Sequence, residues 1–154
     1  YTTMCGTNNE ILVSGSDDFT MFMWAPQKGK APIKRMTGHQ GLIFHIAFSP
    51  DGRYLASASL DKKVKLWNGK NGDFITVFHG HVGAVYQIAW SADRNYFVSG
   101  SKDSTLKLWS PGKQKKAENT LPGHEDEVFA VDWSPDGTQV ASGSKDRTVK
   151  VWHN

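Results

Sequence analysis

A Gly-His dipeptide recurs at Gly38-His39, Gly80-His81 and Gly123-His124, at spacings of 42 and 43 residues, and a tryptophan recurs at Trp24, Trp67, Trp109 and Trp152, at spacings of 43, 42 and 43. Two markers of different chemistry keep one period, so the chain is made of copies of one structural unit. A unit of roughly 40–45 residues that opens near Gly-His and closes on an aromatic-ended strand has the length of a four-stranded propeller blade. The 154 residues supply three such units and most of another. The expected organisation is a single partial β-propeller over 1–154, with units at about 1–37, 38–79, 80–122 and 123–154.

The runs inside each unit agree with an all-β fold. After Gly38-His39 come the apolar run Leu42 to Phe48, the turn Ser49-Pro50-Asp51-Gly52, the run Tyr54 to Ser59, a turn at Asp61, the run Val64 to Trp67, a glycine-containing turn, and Phe74 to Phe78. These runs are rich in β-branched and aromatic residues at strand length, and the turns carry proline, which presets φ, and glycine, which accepts positive φ. The order repeats at Val85–Trp90, Tyr96–Ser101 and Leu106–Trp109, and again at Val128–Trp133, Val140–Ser144 and Val149–Trp152. No segment sustains a 3.6-residue apolar period, so almost no helix is expected.

Four polar or aromatic positions keep register through the units. They are Ser14, Asp18 and Trp24 in the first, which lacks the histidine; His39, Ser57, Asp61 and Trp67; His81, Ser99, Asp103 and Trp109; and His124, Ser142, Asp146 and Trp152. Serine, histidine and aspartate together suggest a nucleophilic triad, whose chemistry needs a base on the hydroxyl and a carboxylate to orient the base. A triad is needed once, in a cleft. A set that recurs in every unit is instead expected to satisfy buried polar groups and pin the strands of each blade.

These tetrads make the chain resemble the WD-repeat family, although the name-giving Trp-Asp pair is absent: Ala25, Asn68, Ser110 and His153 follow the four tryptophans. Within it, the segments Leu12–Trp24, Arg35–Gln40, Gly80–Asp93 and Leu121–Gly137 resemble the Notchless group of large-ribosomal-subunit assembly factors. Leu60 before Asp61 and the lysine-rich turn Pro111–Lys116 depart from that pattern. The resemblance implies a non-enzymatic scaffold in the nucleolus, within a ring of about eight blades, of which this chain is the C-terminal half. It also implies pre-ribosomal proteins and ribosomal RNA as partners, and a midasin-type ATPase engaged through a ubiquitin-like domain outside this chain. The alternative is a WD-repeat adaptor for signalling or for ubiquitin-ligase substrates. A half-ring expressed alone is expected to pair with a second copy, since raw blade faces and strand edges invite association.

Composition sets further bounds. The formal charge of +3 and isoelectric point near 9.0 suit an acidic or nucleic-acid partner without specifying one. The single Cys5 cannot form an internal disulfide, and no Cys/His spacing suits zinc, so neither metal nor cofactor is expected. The sequence contains no 18-residue apolar span, and its mean hydropathy is −0.48, so no membrane partner is expected.

The resemblance also points to a binding face. In WD-repeat propellers the narrow face is built from the Gly-His loop and the turn of the tetrad aspartate, at the positions three and five after the histidine and one before the aspartate. Here these are Leu42, Phe44 and Leu60; Ala84, Tyr86 and Lys102; and Glu127, Phe129 and Lys145; with Asp17 from the first unit. Phe44, Tyr86 and Phe129 are in register and suggest either an aromatic binding rim or packing between blades. Lys62, Lys63, Lys102, Lys145 and Arg147 flank the same turns, whereas Lys28, Lys30, Lys70, Lys113, Lys115 and Lys116 belong to turns of the opposite face, where RNA phosphate is the alternative to plain solvation.

Overall fold

The computed structural model describes residues 2–5, 10–112 and 117–153. Among them the secondary structure is all β, in four antiparallel sheets with no helix. The first sheet holds β1 (Thr2–Cys5), β2 (Leu12–Gly15), β3 (Met21–Trp24) and β4 (Lys34–Met36). The second holds β5 (Ile43–Phe48), β6 (Tyr54–Ser59), β7 (Val64–Asn68) and β8 (Phe74–Phe78). The third holds β9 (Val85–Trp90), β10 (Phe97–Ser101), β11 (Leu106–Trp109) and β12 (Asn119–Leu121). The last holds β13 (Val128–Trp133), β14 (Gln139–Ser144) and β15 (Val149–His153). Each sheet is a meander in sequence order, so the sheets are blades, numbered 1 to 4 along the chain.

Three of the expected strand starts move by a residue, the last being β14, which begins at Gln139 rather than Val140. Leu42 stands one residue before β5, where its carbonyl accepts the Leu60 N–H at 2.9 Å. Tyr96 stands just before β10, its carbonyl closing the turn onto Ser91 N–H at 3.0 Å. The first sheet has four paired strands like the second and third.

The core lies between blades. Val13, Met21, Met23 and Met36 of blade 1 cluster with Ile43, Ile46, Leu55 and Trp67 of blade 2. Ala56, Ala58, Val64, Leu66 and Phe78 of blade 2 cluster with Val85, Ile88, Phe97 and Trp109 of blade 3. Val98 and Leu106 of blade 3 cluster with Val128, Val131 and Val140 of blade 4. One face of each of the first three sheets is thus buried by the sheet that follows, which removes apolar surface at about 25 cal/mol per Å². Gly100 shows how close the sheets come: a Cβ there would stand 3.0 Å from Cγ1 of both Val128 and Val131. The seams are also hydrogen bonded. The Trp90 indole N–H donates to the Ala47 carbonyl, and that of Trp133 to the Ala89 carbonyl, both at 3.1 Å.

Among the described residues no sheet packs against the corresponding face of blade 4. Val149 and Val151 are 75 % and 53 % exposed, whereas Val64 and Leu66, their equivalents in blade 2, are 1 % and 0 % exposed.

Candidate functional site

In blades 2 to 4 the four tetrad side chains meet. His39 Nδ1 lies 2.8 Å from Asp61 Oδ2, its Nε2 lies 2.7 Å from Ser57 Oγ, and the Trp67 indole donates to the same hydroxyl at 2.9 Å. The corresponding distances are 2.8, 2.7 and 2.8 Å for His81, Asp103, Ser99 and Trp109, and 2.7, 2.8 and 2.9 Å for His124, Asp146, Ser142 and Trp152. The chemistry of the groups sets the direction of each bond. Indole can only donate, so the serine accepts from tryptophan and gives its own proton to Nε2, leaving Nδ1–H to donate to the carboxylate. In blade 1 Trp24 donates to Ser14 at 3.0 Å, while Asp18 takes Thr20 N–H and Oγ–H at 3.0 and 2.7 Å.

The aspartate does two jobs at once. Asp61 Oδ2 also accepts the Gln40 N–H at 3.0 Å, and Oδ1 accepts the Lys63 N–H at 3.1 Å. These bonds hold Lys62 at a φ of 68°, in the left-handed region that side chains avoid. Phe19, Ser104 and Arg147 take the same conformation after Asp18, Asp103 and Asp146. Burial alone would raise the Asp61 carboxyl, but the His39 and backbone hydrogen bonds outweigh it and bring it down to about 2. Asp103 and Asp146 are lowered by the same balance. The serine hydroxyls are sealed at 0–2 % exposure with donor and acceptor both in use, so this arrangement locks strands together and offers no hydroxyl to a substrate.

The rim positions are also brought together. The backbone N–H of Leu60, Lys102 and Lys145 donates to the carbonyl of Leu42, Ala84 and Glu127 respectively, at 2.9 Å each time. On blades 2 to 4 the Gly-His loop and the aspartate turn are therefore one surface. Phe44, Tyr86 and Phe129 form a ladder across blades 2 to 4, with ring centroids 5.3 Å apart in the first step and 5.0 Å in the second. Each of the three is the extra residue of a β-bulge, since pairing skips from Ile43 to His45, from Val85 to Gln87 and from Val128 to Ala130. A bulge re-aims the side chain it carries, and here it aligns three aromatic rings.

The two readings of these aromatics divide along the ladder. Tyr86 is half-buried and its hydroxyl donates to Glu127 Oε2 at 2.7 Å, whereas Phe129 is 47 % exposed. Leu60, Lys102 and Lys145 are exposed, Leu42 is half-buried, and Ala84 is buried and closed to a partner. Lys145 Nζ stands 3.8 Å from Glu127 Oε1 and 3.9 Å from Asp126 Oδ2. Asp17, Lys62 and Arg147 are exposed beside the same turns, with Lys63 half-buried. Of the opposite-face lysines, Lys28, Lys30 and Lys70 are exposed, and Lys113, Lys115 and Lys116 lie outside the described residues.

One rim residue escaped sequence reasoning. Val82 follows His81 and is 77 % exposed, with its N–H bonded to Asp103 Oδ2. The signal was there, an apolar residue where the other units carry Gln40 and Glu125, but it falls outside the register positions chosen. Among the described residues no group of three or more His, Cys, Asp or Glu is placed to hold a metal ion.

The profile of the family described as WD domain, G-beta repeat, matches residues 30–68, 72–110 and 115–153. The chain belongs to the WD-repeat family. Its matched segments each span the last strand of one blade and three strands of the next, as repeats of that family are counted. Among individual relatives, it is similar to a Notchless protein homolog of Arabidopsis thaliana, with 62 % identity over 78 residues, or 51 % of this chain and 16 % of that protein. It is similar to Ribosome assembly protein 4 of Saccharomyces cerevisiae, with 54 % identity over 81 residues, again 51 % and 16 %. Identity to a Periodic tryptophan protein 2 homolog of Schizosaccharomyces pombe is 39 % over 62 residues, 40 % of this chain and 7 % of that protein. The matched stretch thus spans 16 % of the length of the first two relatives.

Proposed function

We propose that this chain is part of the propeller of a Notchless-type factor in large-ribosomal-subunit assembly, and that it works as a docking platform without catalytic chemistry. The observation that carries the reading is the identity to the Notchless homologue and to Ribosome assembly protein 4, which stands well above that to other WD-repeat relatives such as Periodic tryptophan protein 2. Sealed tetrad hydroxyls support the absence of catalysis at those positions. Leu42, Phe44, Leu60, Tyr86, Lys102, Glu127, Phe129 and Lys145 are the docking residues, and exposed aromatic and aliphatic groups at such a rim are the usual anchors of protein contacts. Lysines around the turns meet ribosomal RNA through phosphate, which gives salt-dependent contacts largely indifferent to base sequence. In this reading the protein acts in the nucleolus, and a ubiquitin-like domain outside this chain engages a midasin-type ATPase.

Affinity purification of the tagged full-length protein tests this. Precursor large-subunit RNA and pre-ribosomal proteins are expected in the eluate. A ubiquitin-ligase or receptor complex in their place overturns the reading.

A further inference from the structure

The seam between blades 2 and 3 and the seam between blades 3 and 4 use the same positions but are filled differently. In the first, Phe78 meets Phe97 edge to face at 5.2 Å, Phe97 packs on Trp90 at 4.9 Å, and Trp90 stacks on Tyr54 at 6.3 Å with ring planes 6° apart. In the second, Leu121 pairs with Leu106 as Phe78 pairs with Val64, and Val140 pairs with Trp152 as Phe97 pairs with Trp109. Leucine and valine therefore stand where the other seam has two phenyl rings. The space left is a cavity of about 280 Å³, lined among others by Tyr96, Trp133, Trp152, Leu121, Val140 and Asp93.

The polar end of the seam differs in its charges, with Arg94 and Arg53 beside the first seam where the second has Gly137 and Asn95. In the turn before β10, Arg94 N–H donates to the Ser91 carbonyl at 3.0 Å; in the turn before β14 Gly137 N–H does the same to Ser134 at 2.9 Å. Arg94 and Gly137 are therefore equivalent, and both are left-handed, at φ of 66° and 72°. Across the first seam the Asp51 carboxyl, which burial would raise, is held low by the Ser49 hydroxyl, the Arg53 N–H and the charge of Arg94. Arg94 of blade 3 and Arg53 of blade 2 both favour the charged form of that carboxylate. Across the second seam the carboxylate remains, as Asp93, but Arg94 is replaced by Gly137, with nothing within 4 Å of where its Cβ would stand. Asp93 Oδ2 accepts from Asn95 Nδ2 at 2.8 Å, and a carboxylate oxygen has capacity for a further donor.

We propose that the cavity between blades 3 and 4 binds an arginine side chain of a partner protein, with the aliphatic stem along Leu121 and Val140 and the guanidinium between the aromatic lining and Asp93. Arginine fits better than lysine because its planar cation both stacks on aromatic rings and offers a fork of donors to a carboxylate, whereas an ammonium is a strongly hydrated point charge. The site is remote from the rim in its chemistry and does not depend on the ribosomal reading.

Titration of the chain with N-acetyl-arginine amide, followed at the indole N–H signals of Trp133 and Trp152, tests the assignment. Saturable shifts are expected at these two signals, with N-acetyl-lysine amide and N-acetyl-norleucine amide binding at least about fivefold more weakly, the difference expected of about 1 kcal/mol of cation–aromatic attraction. Val140→Phe, which fills the space as Phe97 does, and Gly137→Arg, which supplies a guanidinium from within, are each expected to remove the shifts. Phe129→Ala on the rim is expected to leave them unchanged. Gly137→Arg alters only an open turn, so it keeps the test decisive even where a core substitution disturbs folding. Absence of saturable shifts, equal binding of the lysine or norleucine derivative, or undiminished binding by the Gly137→Arg protein overturns the proposal.

Discussion

The Tyr86 hydroxyl donates to Glu127 Oε2 at 2.7 Å, tying the innermost strand of blade 3 to the loop that leads into blade 4. Burial first, and then the neighbouring carboxylate, push this phenol up to about 12 from its ordinary 10.0. The folded protein therefore holds the proton more tightly than the unfolded chain does, and the stabilisation is whole below pH 10 and lost as pH rises through about 12. Denaturant unfolding across that window is expected to fall more steeply for the wild type than for Tyr86→Phe. At neutral pH the same substitution is expected to cost about 1–3 kcal/mol, because the bond is to a charged group. Parallel pH profiles would contradict the assignment.

The tetrad carboxylates act at the other end of the scale. Asp61 is depressed from 3.8 to about 2, so its contribution is present above pH 4 and disappears as pH falls toward 2. Asp61→Asn is expected to flatten the acid limb of the stability profile.

His81→Ala removes the link between Ser99 and Asp103, leaving the buried Ser99 hydroxyl proton without an acceptor and taking one donor from the Asp103 carboxylate. Stranded polar groups cost roughly 1–3 kcal/mol each, so thermal unfolding should shift clearly downward. Wild-type stability in this variant would mean that the tetrad does not hold the blade.

On the rim, the variant that isolates docking is Phe129→Ala, since Phe129 is half exposed while Tyr86 is fixed by Phe44, Phe129 and Glu127. In the full-length protein it is expected to weaken pre-ribosome cosedimentation by roughly 1–3 kcal/mol, as loss of an aromatic anchor does, with unfolding little changed. Charge reversal of Lys113, Lys115 and Lys116 to Glu is expected to weaken binding in a salt-dependent way if that face meets RNA phosphate. Unchanged association of both proteins across a salt series would remove the support for either face.

Expressed by itself, the chain is expected to associate through the uncovered face of blade 4, where Val149 and Val151 are exposed. Sedimentation should show a concentration-dependent increase above 17.1 kDa, suppressed by Val149→Lys with Val151→Lys. A well-folded monomer at all concentrations would show that the face needs no cover.

The repeat made the blades, most strand cores and the side-chain sets that meet in blades 2 to 4 legible, because those features follow from local chemistry: β-branched runs, turn residues, and one polar set per unit. Contacts that cross between units were not legible. The sequence places Phe44, Tyr86 and Phe129 in register, but only the bulges turn them into one ladder, and a bulge is a property of two paired strands. The same holds for the Tyr86–Glu127 bond and for the cavity beside Val140, which exists because two positions far apart in the chain, Leu121 and Val140, are both smaller than their counterparts.

The indole bonds across the seams have a direction. Trp90 reaches back to Ala47 and Trp133 reaches back to Ala89, so in the two seams that carry such a bond the donor belongs to the later blade and the acceptor to the earlier one. A sheet stack built this way has unlike ends. A copy that repeated the same seam on blade 4 would offer it the leading end of another stack, which makes that contact heterologous. Growth by that rule either curls back on itself and stops or runs on without limit, and which of the two occurs is decided by the rotation from one blade to the next rather than by the strength of the contact.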